Sequence, residues 1–376
     1  MRPAGPRERI FGLDLMRATA GMMVMLSHTG HLVEQHWPRF PAVPYVDWVG
    51  LFFVLSGYLI GGILLDSINT PGSTALRFAD FMQRRWLRTL PNYFLFLVLN
   101  ILLVHFGQAP GMLSHATAAY AVFMQNFHVP LDLFFWESWS LAVEEWFYLL
   151  FPLIVFAAIG ALALQGRRAY LLACVLFLAV PIAGRLAVAQ HVVDETTRSL
   201  WIHKLVITRL DAPGMGMLAA WAARHWKGPW HAVRWPAFGL GSLALLALGQ
   251  MGYRSAPGFM VLGYESVNAL SIGLLLPLLS GWRSAGPLDR PMRGLSLITY
   301  ALYLVHLPML YLVGNYVPSG SAWTCAAHFA IFSAATIALA ALIYRFWERP
   351  FMRLRAPLGR WLYNRPAFRT TPRSGI

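Results

Sequence analysis

Residues 11–30 read FGLDLMRATAGMMVMLSHTG, an apolar stretch long enough to cross a bilayer core as a helix, with Asp14, Arg17 and His28 set inside it. At 3.6 residues per turn these three side chains share one face. Charge at such depth is costly unless it faces a protein interior or a wet cavity, which makes this face the first candidate for function. Nine further apolar stretches follow at 48–66, 87–106, 141–163, 170–190, 208–223, 235–251, 263–281, 296–317 and 323–344. The expected fold is all-α, a polytopic transmembrane helical bundle of about ten spans. Ser114–Asn126 is too short for a span and is expected to form one interfacial or re-entrant helix.

Composition agrees. The 376 residues are 57% hydrophobic and 12% charged, with a mean hydropathy of +0.53, more apolar surface than one soluble core can bury. A net charge of +14 would suit nucleic acid, but the basic residues gather between apolar stretches, where a membrane face accounts for them and no nucleic-acid partner is expected. With ten spans, Arg77, Arg84, Arg85 and Arg88, then Arg167 and Arg168, then Arg224, Lys227 and Arg234, then Arg283, Arg290 and Arg293 fall on one side. The same side receives the start of the chain and a tail carrying Arg349, Arg353, Arg355 and Arg360. Both termini are therefore expected in the cytoplasm, in a plasma or inner membrane. Arg198 and Lys204 depart from this pattern and are assigned to a cavity or an interfacial segment. Residues 1–351 read as the membrane-embedded domain and 352–376 as a basic cytoplasmic tail. Met1–Arg9 reads as the flank of a retained first helix rather than a cleaved signal. Cys174 and Cys325 lie in apolar stretches as buried thiols, and no metal set is expected. The chain shows no internal repeat of the kind that builds many transporters.

A neutral imidazole at His28 can take a hydroxyl proton while that oxygen attacks an activated carbonyl; a histidine bonded between helices is the plainer alternative. Asp14 and Arg17 can pair to lower each other's burial cost. They stand about 21 and 17 Å along the helix from His28, too far for Asp14 to orient the ring. Arg84 and Arg88 share a face, with Arg85 turned elsewhere, and guanidinium groups suit phosphate; anchoring to the membrane face explains them as well. In Trp139-Ser140-Leu141-Ala142-Val143-Glu144-Glu145-Trp146-Phe147-Tyr148, Ser140 can cap a helix and a glutamate can complement its dipole, or point inward toward an acceptor. Trp136, Trp139, Trp146 and Tyr148 read as an interfacial belt or in part as a sugar-stacking wall. Arg209 and Asp211 precede a Pro213-Gly214 break and read as cavity lining, an ion pair or packing. Tyr303 and His306 share a face, for substrate or for a packing hydrogen bond.

The order Asp14-Leu15-Met16-Arg17 to Ser27-His28, then Val49-Gly50-Leu51-Phe52-Phe53-Val54-Leu55-Ser56-Gly57, then Arg84-Arg85-Trp86-Leu87-Arg88 with Pro91 and Tyr93 resembles acyltransferase family 3, integral-membrane O-acyltransferases acting on carbohydrates. Trp139–Glu145, Leu302-Tyr303-Leu304-Val305-His306 and Glu348-Arg349-Pro350-Phe351 continue the likeness, so its landmarks run from residue 14 to 351. The resemblance implies transfer of an acetyl or related acyl group from acyl-CoA to a hydroxyl of a carbohydrate, lipid-linked glycan or glycoside. It makes His28 the general base, with Glu144 or Glu145 a functional carboxylate near the acceptor path. Arg84, Arg85 and Arg88, with Arg17, become donor contacts, and Asp14, Trp139, Tyr148, Arg209, Asp211, Tyr303 and His306 substrate-binding or structural residues. Some relatives carry a long soluble C-terminal domain absent here, so the membrane domain or another protein is expected to handle the acceptor. Membrane lipids are expected partners, and a homo-oligomer stays open. The competing reading is a flippase or transporter of an amphipathic glycan or lipid, which would move substrate without consuming a thioester.

Overall fold

The computed structural model describes residues 9–29, 46–68, 73–317 and 320–364. It is an all-α, polytopic membrane bundle. A helix stands in each of the ten expected stretches: α1 Phe11–Ser27, α2 Trp48–Ile68, α3 Thr74–His105, α4 Ser138–Gly160, α5 Gly166–Val188, α6 Asp211–His225, α7 Arg234–Leu248, α8 Tyr264–Gly273, α9 Asp289–Tyr316 and α10 Ala322–Ile343. An eleventh, α11 Arg355–Asn364, follows. Among the described residues six helical segments are long and apolar enough to cross a membrane: those containing α2, α3, α4, α5, α9 and α10. The other four are shorter. Helices α6 and α7, of 15 residues each, measure about 22 Å against a hydrocarbon core of about 30 Å. Helix α8 stops at Gly273 and resumes as Leu276–Leu279, with Pro277 in the second piece.

The start of α1 has no side-chain cap. Its free amides go instead to the connection after α8, with Phe11 N donating to Arg283 O at 3.2 Å and Gly12 N to Trp282 O at 2.9 Å. Ser73 caps α3 by accepting from Leu76 N, and Ser321 caps α10 by accepting from Thr324 N. The expected helix at Ser114–Asn126 is reduced to Thr117–Tyr120, in a segment of turns held down by Tyr93 Oη on Tyr120 O at 2.7 Å and Tyr120 Oη on Phe134 O at 2.9 Å. The expected loop 31–47 lies outside the described residues apart from Val46 and Asp47, as do Met1 to residue 8 and the tail from Arg365 onward.

Two apolar clusters fill the bundle. Val54, Phe147, Phe151, Tyr170 and Met217 tie α2, α4, α5 and α6 together; Tyr93, Phe96, Leu304, Val305 and Phe332 tie α3, α9 and α10. The closest crossing is α2 on α6. Gly57 and Gly61 on α2 meet Pro213, Gly216 and Ala220 on α6, so that a Cβ at Gly216 would lie 2.0 Å from Val54 O and one at Gly57 2.1 Å from Pro213 O. Small residues four apart let two backbones approach in this way inside a membrane bundle.

Any side chain at Gly216 must push α6 away from α2. Gly216→Ala is expected to cost about 1–3 kcal/mol or more, read as a lower midpoint of thermal unfolding in detergent. Gly239→Ala, where an added Cβ meets nothing within 4 Å, should leave the midpoint in place. Equal midpoints for both variants would show that the two helices do not cross at these glycines.

Candidate functional site

Charged side chains inside the bundle collect around two cavities at opposite ends of α1. The first, of about 1160 Å³, is walled by the start of α1, the middle of α3, most of α2 and the end of α6. Arg17, Arg85, Arg88, Asp14, Glu144 and Tyr148 line it. On α3 it is Arg85 and Arg88, three apart, that turn inward together with Thr89. The expected pairing of Arg84 with Arg88 on the cavity face is thereby corrected: Arg84 is half-exposed and its Nε lies 3.0 Å from the carboxylate of Asp80, one turn back on the outer face. Asp14 accepts from Ser296 Oγ at 2.6 Å and pairs with Arg9 at 3.4 Å, so its partners are not Arg17. Glu144 accepts from Ser56 Oγ at 2.8 Å and from the Tyr148 hydroxyl, whereas Glu145 is buried and lines neither cavity. Both glutamates stand in the second turn of α4, which starts at Ser138, too far along for helix-end roles. Ser140 does not cap that helix; its hydroxyl donates to Tyr303 Oη at 2.6 Å.

The second cavity, of about 510 Å³, is where α1 ends and α2 and α4 begin. His28 and His306 line it with Trp136, Trp139, Glu137 and Lys204. His28 Nδ1 lies 2.8 Å from Val24 O and His306 Nδ1 2.5 Å from Tyr303 O, and the ring centroids are 5.1 Å apart. A carbonyl only accepts, so each Nδ1 carries a proton, and in the neutral ring the lone pair is then on Nε2. On His306 that nitrogen is buried with no hydrogen-bond partner. Trp139 packs edge-on to Phe53 at 6.0 Å, and Lys204 Nζ sits 5.1 Å from the ring of Trp136 and 6.0 Å from that of Trp139. Phe135, just before this wall, has φ of 44°, a conformation costly for a bulky residue, and it turns the chain into α4. Trp146, grouped with these rings in the sequence, instead donates to Phe123 O at 2.9 Å.

The two cavities share Val49 and Tyr303 as lining residues. The Tyr303 hydroxyl also donates to Glu137 O at 3.1 Å, and its ring stands edge-on to Phe52 at 6.5 Å. Asp14, Arg17 and Glu144 thus belong to one chamber and His28 to the other.

Beside the second cavity lies an ion lattice that the sequence reading missed. Arg209, fully buried, reaches Asp47 at 2.6 Å and also pairs with Glu265. Arg198 reaches the same Glu265 at 2.9 Å, and His203 Nδ1 does so at 3.1 Å. Asp211 pairs not with Arg209 but with Arg185, at 2.5 Å, and Arg185 also donates to Thr208 O and to Ser266 Oγ. Arg185 and Glu265 were visible as charges within apolar stretches, a signal that marks buried function or pairing. Asp47, His203 and Glu265 bring three ligand-type atoms within 4.8 Å, and guanidinium groups already engage both carboxylates.

Residues 10–345 match the family model described as an acyltransferase domain. A Bacillus subtilis protein that carries the provisional name peptidoglycan O-acetyltransferase is 26% identical over 90% of this chain and 54% of its own length. A Staphylococcus aureus protein provisionally named an O-acetyltransferase is 24% identical over 90% of the chain and 57% of its own length. Nodulation protein 10 of Rhizobium leguminosarum is 25% identical over 92% of the chain and 94% of its own length. The chain spans just over half the length of the Bacillus and Staphylococcus relatives. No solved structure gives a significant match.

Removing one member of a buried ion pair strands the other. Arg209→Met, which leaves Glu265 and Asp47 short of a cation, is expected to cost about 3–5 kcal/mol in thermal unfolding, and Arg209→Met with Glu265→Leu to recover part of it. A single variant as stable as the wild type would dissolve the lattice. Burial lowers the Lys204 ammonium to about 8, so the amine is protonated below that pH and nucleophilic above it. Amine-selective labelling followed by peptide mapping should give Lys204 a half-point near pH 8; a half-point near the free-lysine value of about 10.4 would place it in water.

Proposed function

The chain belongs to the acyltransferase domain family, and we propose from that premise that it transfers an acetyl or related acyl group from acyl-CoA to a hydroxyl of a carbohydrate or glycoconjugate, with His28 as general base. The observation that carries this reading is the division of labour between the two cavities. The guanidinium groups of Arg17, Arg85 and Arg88, without carboxylate partners, line one, imidazoles and indoles line the other, and the two abut at Val49 and Tyr303. The names of the Bacillus and Staphylococcus relatives favour acetyl as the group, and that of the Bacillus relative favours a glycan as the acceptor.

In this reading the nucleotide phosphates of the donor rest against Arg17, Arg85 and Arg88, and the long thiol arm passes Val49 and Tyr303 into the second cavity. The acceptor sugar stacks on Trp136 and Trp139. His28 Nε2 takes the hydroxyl proton as the oxygen attacks the thioester carbonyl. Collapse of the tetrahedral adduct breaks the carbon–sulfur bond, and the imidazolium returns its proton to the leaving thiolate. Of the two glutamates we assign the functional role to Glu144, which with Ser56 and Tyr148 shapes the donor chamber, and leave Glu145 to packing. Arg84 becomes an anchor on the membrane face. Asp14 fixes α1 to α9 through Ser296, and Arg209 and Asp211 hold the acceptor side in shape. Ten crossings with both termini in the cytoplasm, in a plasma or inner membrane, put the donor chamber where acyl-CoA is soluble; residues 1–351 form the membrane domain.

Reconstitution in sealed vesicles with radiolabelled acetyl-CoA and a panel of glycans tests the proposal. Removing a general base is worth about 10²–10⁴ in rate. Folded His28→Ala is expected to lose transfer by that factor and retain donor affinity, whereas Arg88→Ala weakens donor binding. Near-normal turnover by His28→Ala removes the base, and glycan movement across the bilayer with the thioester intact replaces the transferase by a transporter.

A further inference from the structure

Sequence places Arg355 in a basic tail, yet residues 355–364 fold back as α11 against α3. Gln83 Nε2 donates to Arg355 O at 3.3 Å, and Gly359 lies so close to α3 that an added Cβ would stand 3.1 Å from both Arg84 Nη2 and Asp80 Oδ1. This docking turns Arg355 into the same cavity as Arg17, Arg85 and Arg88. We propose that Arg355 is a binding residue for a phosphate of the donor, supplied by a helix beyond the last apolar span. The assignment rests on the acyl-CoA reading above and extends it past residue 345, where the family match ends.

Three observations converge on it. Arg355 Nε and Nη2 and Arg85 Nε are buried without hydrogen-bond partners. Among the described residues no carboxylate lies within ion-pair distance of Arg17, Arg85, Arg88 or Arg355, in contrast to Arg185, Arg198 and Arg209 at the other end of the bundle. The charges acting most strongly on Arg355 are those of Arg88, Arg85, Glu348 and Arg84, three of the four repulsive, and Glu348 is already held by Asn92 Nδ2 at 3.0 Å. Desolvated guanidinium groups gathered this way need an anion rich in acceptor oxygens, and their planar forks match phosphate. Acyl-CoA brings several phosphates on one molecule, which four guanidinium groups can divide among them. The phosphate of an anionic lipid offers the same chemistry.

The test uses the full chain in nanodiscs of phosphatidylcholine, with and without phosphatidylglycerol. Substrates are acetyl-CoA and S-acetylpantetheine, which carries the thioester but no phosphate. Arg355→Ala is expected to raise the KM for acetyl-CoA about 10- to 100-fold, with kcat and the rate on S-acetylpantetheine unchanged and no dependence on phosphatidylglycerol. Arg355→Lys, which keeps the charge and loses the fork, should fall between, and Arg353→Ala, exposed on the neighbouring turn, should match the wild type. Equal losses on both donors mean that Arg355 only holds the fold, and an unchanged KM with lost sensitivity to phosphatidylglycerol means a lipid site; each overturns the assignment. Should Arg355→Ala fail to fold, an Arg355→Lys KM equal to the wild type's also overturns it. A wild type that binds CoA beside an Arg355→Ala that binds it as tightly sinks this residue alone. A wild type that does not bind CoA sinks the donor reading with it.

Discussion

A guanidinium inside a membrane bundle must be neutralised or face water, and this chain meets that requirement in two opposite ways. Around Arg185, Arg198 and Arg209 the positive charges are closed against Asp211, Glu195, Glu265 and Asp47. Around Arg17, Arg85, Arg88 and Arg355 they are left open to a cavity. The closed set spends its electrostatic strength on joining α2, α5, α6 and α8, whose backbones include the glycine crossing. The open set keeps its strength available to whatever anion enters.

Much of this was legible in the sequence, because hydropathy is a local property. Apolar runs located all ten helices, and a histidine and two charges in the first run pointed to the cavity-lining face of α1. Facing between helices was less legible. Four-residue spacing grouped Arg84 with Arg88, but the groove of α3 that packs inward holds Arg85 and Arg88, and only the neighbours of a helix decide which stripe that is. The lattice was illegible for a plainer reason: Arg209 finds Asp47 162 positions away and Glu265 56 positions away. Charges within a run announce that a partner exists without saying where. The same holds for Arg209 and Asp211, near neighbours in the chain that turn to different partners.

Crossing length explains where helix and span part company. Six segments satisfy length and composition, and the remaining four are short, broken or polar at one end. These four, α1, α6, α7 and α8, include the helices that carry Asp14, Arg17, Asp211 and Glu265, with His28 just past the end of α1. All four fall short in length, whereas α3, α4 and α9, which bring Arg85, Arg88, Glu144, Tyr303 and His306 to the cavities, are long and apolar enough to cross.

Helix α9 presents Thr299 and Tyr300 to one chamber and His306 and Leu307 to the other, with Tyr303 at the boundary tethered through its hydroxyl to Ser140 and to the carbonyl of Glu137. A membrane that stores an ion gradient tolerates no continuous aqueous pore. In the proposed transfer, the aromatic partition at Tyr303 between the two vestibules is what admits a thin, uncharged thiol arm while denying hydrated ions a conducting path, so that energy coupling would survive a polar reaction inside the insulator.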